Sequence, residues 1–274
     1  MKKLMIVASA ALWATVGFSD AIESANVVGY QQITIDKQYT ILGCNFKNAD
    51  NTVYSISNFI PYVEGMVTAK TQVGADQIQV RQPDTTYKIY FMCNGYYGKG
   101  TGTYYENLDK QWVSASTPGS VTTDTIANGT GFWFIRPTET FEPITLTVAG
   151  GVETLDVSTK PLEQQYNIVA NPYPVDLPVT NIPYAAGMVT AKTQVGADQI
   201  QVRQPDTTYK IYFMCNGYYG KGAGTYYENL DKQWVAAATP GSVTTDTIPA
   251  GQGFWYIKGD ASADVTLTFN SPVK

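Results

Sequence analysis

One segment of this chain is written twice. Residues 65–135 open GMVTAKTQVGADQIQVRQPDTTYKIYFMCNGYYGKG and close GFWFI, and residues 187–257 repeat them at an offset of 122 positions. Only Thr101/Ala223, Ser114/Ala236, Ser116/Ala238, Ala127/Pro249, Asn128/Ala250, Thr130/Gln252 and Phe134/Tyr256 differ. Whatever one copy packs or binds, the chain therefore presents twice. Upstream, Gln38–Phe46 resembles Gln165–Tyr173 at an offset of 127, and downstream Ile144–Thr147 resembles Val265–Thr268. The expected organisation is a leader over residues 1–21, one repeat unit over 22–149 and a second over 150–274. A recent duplication explains such identity without selection for a site, so recurrence alone does not mark a residue as functional.

The leader is read from its order of residues. Met1-Lys2-Lys3 is basic, Leu4–Val16 is an apolar run too short to span a bilayer, and Ser19-Asp20-Ala21 offers small residues for cleavage after Ala21. This is the pattern of an export signal peptide, and it predicts a periplasmic, cell-surface or extracellular protein. No later apolar run is long enough to form a transmembrane segment. After cleavage, 16 basic and 22 acidic residues remain, a net charge of −6. That balance argues against nucleic acid as a partner.

Tyrosine is abundant, at 20 residues, and threonine recurs in short runs, which favours strands over helices. Strands are expected at Val27–Ile35, Tyr39–Cys44, Val67–Val73, Gln77–Val80, Tyr87–Cys93, Gly131–Ile135 and Thr140–Val148. Asn94-Gly95 reads as a turn ending the Tyr87 strand, Glu106–Lys110 as a turn joining Gly102–Tyr105 to Gln111–Val113, and Thr117–Ser120 as a loop. Val53–Ile60 is the one short helical pattern of the first unit, with Val53, Ile56 and Ile60 on one face. The fold class that follows is all-β: two tandem antiparallel sandwich-like or barrel-like units, each with at most one short helix. Two independent bodies and one shared barrel are both open at this point.

The chain contains no histidine. That removes Ser-His-Asp and Cys-His nucleophile pairs and every His-ligated metal site. Gly98-Lys99-Gly100-Thr101-Gly102 lacks the spacing and the following helix of a phosphate loop and reads as a hairpin tip. Asn48–Asn51 and Glu106–Asp109 offer oxygens but not the density of a calcium loop. Asp84, Glu106 and Asp109 are the carboxylates a hydrolase would need, and turn-forming roles explain them without chemistry. No cofactor, metal site or catalytic residue is expected. Cys44, Cys93 and Cys215 are the three cysteines. Cys93 and Cys215 are repeat equivalents, whereas Asn171 stands where Cys44 would recur, so a Cys44–Cys93 disulfide with Cys215 unpaired is one expectation and three buried thiols the other.

The binding candidates are aromatic. Tyr87, Tyr90, Tyr96, Tyr97, Tyr104, Tyr105 and Trp112 lie in one stretch and recur 122 residues later. Strand alternation sends Tyr104 and Tyr105 to opposite faces, one to the core and one to the outer surface. The rings singled out for a ligand are Tyr96, Tyr97, Tyr105, Tyr218, Tyr219 and Tyr227. Outward rings stack on sugar faces, while cross-strand packing is the structural alternative.

Ser24-Ala25-Asn26-Val27-Val28-Gly29-Tyr30, the strand that begins Gln38-Tyr39, and Gly129-Thr130-Gly131-Phe132-Trp133-Phe134 resemble a family of exported tandem-repeat proteins of the planctomycete–verrucomicrobial bacteria. The resemblance spans most of the mature chain. It implies an exported location and a two-unit layout and supplies no catalytic residue. The expected role is a non-catalytic structural or adhesive protein of the cell envelope or extracellular matrix that associates with itself as a homo-oligomer or filament. The alternatives are an extracellular glycan-binding protein using outward tyrosines and, behind it, a carboxylate-dependent hydrolase.

Overall fold

The computed structural model describes residues 28–48, 53–137, 142–220 and 222–273. The leader, the start of the first unit at residue 22 and most of the Asn48–Asn51 segment lie outside them. The first half comprises β1 (Val28–Ile35), β2 (Tyr39–Gly43), β3 (Tyr54–Ser55), α1 (Ile56–Phe59), β4 (Gln77–Arg81), β5 (Tyr87–Tyr97), β6 (Thr103–Ser114), β7 (Thr117–Val121), β8 (Thr125–Ile126), β9 (Gly131–Ile135) and β10 (Ile144–Gly151). The second comprises β11 (Val157–Leu162), β12 (Tyr166–Ala170), β13 (Leu177–Pro178), a 3-10 turn at Val179–Asn181, β14 (Gln199–Arg203), β15 (Tyr209–Tyr219), β16 (Thr225–Ala236), β17 (Thr247–Ile248), β18 (Gly253–Ile257) and β19 (Val265–Asn270). The protein is all-β, and all its named strand pairs are antiparallel.

The main sheet of the first half has the order β2-β9-β4-β5-β6-β7, and that of the second β12-β18-β14-β15-β16. The first five positions correspond. A two-stranded sheet, β1-β10 in one half and β11-β19 in the other, faces each main sheet. Period-2 alternation makes the core. Ile78, Met92, Trp112, Phe132 and Phe134 point to one face and meet Ile35, Ile144, Leu146 and Val148 from β1-β10, with Ile56 and Phe59 of α1 between. The second half builds its own core from Ile200, Met214, Trp234, Phe254 and Tyr256 against Leu162, Val265, Leu267 and Phe269. Helix α1 starts where Ser55 Oγ accepts from the Asn58 amide at 3.2 Å, and it ends after one turn.

Several expected elements differ. Val67–Val73 forms no strand. Asp76 Oδ2 accepts from the Val67 amide at 3.0 Å, and the intervening loop crosses the back of β5, touching it through one bridge between Ala69 and Cys93. Asn94-Gly95 is not a turn: β5 runs on to Tyr97, with register shifts either side of Asn94. Glu106–Lys110 is likewise no turn but lies inside β6, where Lys110 takes a φ of 56°. Thr117–Ser120 lies in strand β7 (Thr117–Val121) in the first half, whereas the equivalent residues 239–243 make only a bridge from Val243 to Val235.

The Cys44–Cys93 disulfide is not formed. All three cysteines are free and buried. Cys44 lies in the main core, its thiol directed at the Phe46 carbonyl at 3.5 Å. Cys93 points through the opposite face of β5, into a small cluster with Ala75, Phe91, Leu108 and Val113. The sheet itself separates the two sulfurs, because Met92 takes the core-facing position and alternation turns Cys93 away. Burial pushes the Cys44 thiol up to about 12. At its equivalent position Asn171 uses its carboxamide instead, donating to the Val175 carbonyl at 2.7 Å and accepting from the Tyr173 amide at 2.9 Å.

The two halves meet about a pseudo-two-fold axis. The faces of β2 and β9 that turn away from their own core pack on the same faces of β12 and β18. Gly43 N donates to Gly251 O at 2.9 Å, and the equivalent Ala170 N donates to Gly129 O at 3.0 Å. The bridges Leu42–Gln252 and Val169–Thr130 are likewise exchanged. Trp133 and Trp255 meet at 6.4 Å between centroids; Arg203 lies over the Trp133 ring and Arg81 over Trp255. This is the reciprocal contact scheme of an isologous dimer, realised within one chain.

Candidate binding surfaces at the ribbon tips

Strands β5 and β6 are longer than their neighbours, so their ends leave the sheet as a two-stranded ribbon, and β15 and β16 do the same. Beyond the sheet there is no core on either side. Tyr104 and Tyr105 are consequently both exposed, at 49% and 44%, which corrects the expectation that one of them is buried. Tyr96, Tyr97, Tyr105, Tyr218, Tyr219 and Tyr227 are all exposed. Tyr96 packs across the ribbon on Tyr104 at 5.3 Å on one face, and Tyr97 on Tyr105 at 6.5 Å on the other. The second copy repeats this with Tyr218–Tyr226 at 5.3 Å and Tyr219–Tyr227 at 6.4 Å. Tyr104 and Tyr226 thus belong to the surface as fully as the six residues selected from sequence. Cross-strand partnership is the signal that identifies them.

Glycines shape each tip. Gly95 has φ +81°, and a methyl group there would lie 2.4 Å from Cε2 of Tyr104, so the ring lies directly on bare backbone. Tyr97 covers Gly119 in the same way. Lys70 reaches across from the loop behind β5 and donates to the Gly100 carbonyl, as Lys192 does to Gly222, tethering each tip. The expected hairpin at Gly98–Gly102 is the turn between β5 and β6. Partial desolvation, then the nearby Asp109 and Glu106 carboxylates, raise the Tyr104 phenol; Tyr226 behaves alike beside Asp231 and Glu228.

The rest of the aromatic stretch is structural. Trp112 is buried and donates to the Ile60 carbonyl at 2.6 Å, and Tyr90 is buried with its hydroxyl on Asp124 at 2.9 Å. The three acids do not converge as a pair across a cleft. Asp84 sits at the far end of β5, held low by the Thr86 hydroxyl and amide, while Glu106 and Asp109 flank Tyr104. Among the described residues no group of three His, Cys, Asp or Glu could hold a metal ion, and no helix is long and apolar enough to cross a membrane. No protein-family model matches the chain, and neither the curated proteins nor the solved structures contain a match to it.

Proposed function

We propose that the chain is an exported, non-catalytic scaffolding or adhesive protein whose two ribbon tips are its contact surfaces, and that the partner is a second copy. One observation carries this reading: each tip exposes four tyrosines, two per face, in the same geometry in both copies. Exposed rings clustered at a projecting tip bury large apolar area at small entropic expense when they meet a like surface. Each tip also carries both signs of charge, Lys99 in its turn and Glu106 and Asp109 beside Tyr104, so it complements itself. Two such tips per chain allow one molecule to contact two others, which gives extended assembly instead of a closed pair. The leader and the family resemblance support an extracytoplasmic setting. Sedimentation velocity over a wide concentration range tests this: association should appear in the wild type and fall sharply when Tyr96, Tyr104, Tyr218 and Tyr226 are changed to serine. A strictly monomeric wild type at every concentration overturns self-assembly. The same exposed rings favour glycan binding as a second reading, which a glycan array with Tyr96→Ala and Tyr218→Ala addresses; binding that survives both changes removes these rings from it.

A further inference from the structure

The pseudo-two-fold axis generates two equivalent clefts between the halves, and they differ. One lies between the β1–β2 turn and the Arg203–Pro205 end of β14, with a volume of about 450 Å³. The other, between the β11–β12 turn and Arg81–Pro83, has about 160 Å³. The smaller is filled by the protein's own amide. Gln164 accepts from Arg81 Nε at 2.9 Å and donates to the Gln82 carbonyl, which already takes the Thr85 amide on its other lone pair. Asn167 braces the turn that carries it, donating to the Gln164 carbonyl at 2.6 Å.

In the larger cleft Lys37 stands at the Gln164 position and Thr40 at the Asn167 position, so neither the amide nor its brace is present. The groups that would receive the amide remain. The Arg203 guanidinium lies over the Trp133 ring and makes no hydrogen bond among the described residues, while the Arg203 carbonyl is taken by the Gln252 side-chain amide at 2.7 Å and the Gln204 carbonyl takes only the Thr207 amide at 3.0 Å. The Thr40 hydroxyl, which also lines this cleft, is buried without a partner. Ile33 replaces Lys160 on the wall, and the exposed Tyr39 ring stands at the rim. A donor, a spare acceptor, an apolar wall and a flat ring together match an acetamido group attached to a sugar. We infer that the open cleft is a binding site for N-acetylated amino sugars, with Arg203 on the acetyl oxygen, the Gln204 carbonyl on the amide N–H, Ile33 against the methyl and Tyr39 under the sugar ring. Its volume falls in the range of roughly 300–1,000 Å³ usual for small-molecule sites. This site is separate from the ribbon tips and does not depend on them.

Titration calorimetry tests it with the N-acetylglucosamine disaccharide, its fully deacetylated counterpart and N-acetylalanine methylamide. The acetylated sugar should bind once per chain, and the deacetylated one about tenfold or more weaker, as loss of a hydrogen bond to a charged group implies. The double variant Lys37→Gln, Thr40→Asn should rebuild the plug and lose binding while its thermal unfolding is retained. Binding should persist in Tyr96→Ala, Tyr218→Ala. The inference is overturned by equal binding of the deacetylated sugar, by undiminished binding in the plugged variant, by preference for the peptide amide, by loss of binding in the tip variant, or by no heat at millimolar sugar.

Discussion

At the residue scale, one of the seven differences between the copies, Phe134/Tyr256, shows how one packing problem is solved twice. Asp76 and Asp198 are equivalent, fully buried and anchor the same loop. In the first half Arg136 answers Asp76 with a 2.7 Å ion pair and also donates to Gly65 O at 2.8 Å. In the second half Lys258 stands at the Arg136 position and turns away to the Ala263 carbonyl, and the hydroxyl of Tyr256, where the first copy has Phe134, donates to Asp198 at 2.5 Å. The Phe134/Tyr256 difference is thus compensation for Arg136/Lys258. Arg136→Lys alone should destabilise the protein by about 3–5 kcal/mol, the usual consequence of stranding a buried charge. Adding Phe134→Tyr should recover a large part of that, and urea denaturation of the two variants would show it; no recovery would mean the two positions are independent. A gentler pair recurs in both copies, Lys88–Asp124 at 2.8 Å and Lys210–Asp246 at 2.7 Å. The lysine hydrogen bond holds each aspartate below its ordinary value. A lowered carboxyl adds stability above the unfolded value of about 3.9, and that stability is lost as pH falls through the lower folded value. The aspartates are about one-third exposed and the lysines more so, so Asp124→Asn should lower stability by less than about 1 kcal/mol at pH 6, and by progressively less as pH falls below the unfolded value.

At the element scale, the ribbon depends on glycine where sequence patterns suggest a turn. Gly95 combines positive φ with the overlying Tyr104 ring. Gly95→Ala should therefore lower stability by about 1–3 kcal/mol through backbone strain and overpacking together. It should also weaken the near-ultraviolet circular dichroism of the paired tyrosines; an unchanged spectrum would mean the ring is not held there. The same feature marks the limit of reading the sequence. Asn-Gly signals positive φ, and a bulge needs that as much as a hairpin turn does, so Asn94-Gly95 was ambiguous. What separates them is the partner strand, which no local pattern contains. Strands with clear alternation or a dense apolar run, such as Gln77–Arg81 and Gly131–Ile135, were legible within a residue or so. The loop after Gly65 has the pattern of a strand but forms none, because the Asp76 carboxylate captures its backbone, a side-chain contact nine residues away. The exposed tyrosines were legible as a group, but their pairing and two-sided exposure follow from how far the ribbon outruns the sheet. The paired clefts were not legible at all, since they exist only where the halves dock.

At the scale of the whole molecule, small residues set how closely the halves approach. A methyl group on Gly131 would lie 2.6 Å from both Ile168 Cγ2 and the Val169 carbonyl, and one on the equivalent Gly253 would lie 2.5 Å from the Leu42 carbonyl. Two of these three obstacles are backbone carbonyls and the third is the methyl of a stiff β-branched side chain, so the sheets must separate to admit anything larger. Gly131 opens β9, and its core-facing neighbour Phe132 belongs to the first half's own core. Gly131→Val should then leave each half's core packed while prising the halves apart. Because each half has a separate core, the single unfolding transition expected of a tightly docked pair should split into two. Scanning calorimetry would display the split, and limited proteolysis should find new cleavage in the connecting segment near residues 152–157. The same variant should lose the Trp133–Trp255 contact, with a change in tryptophan emission, and with it the alignment of Arg203 in the open cleft. One sharp transition with unaltered tryptophan emission would show instead that the halves fold and hold together through contacts other than this glycine-lined seam.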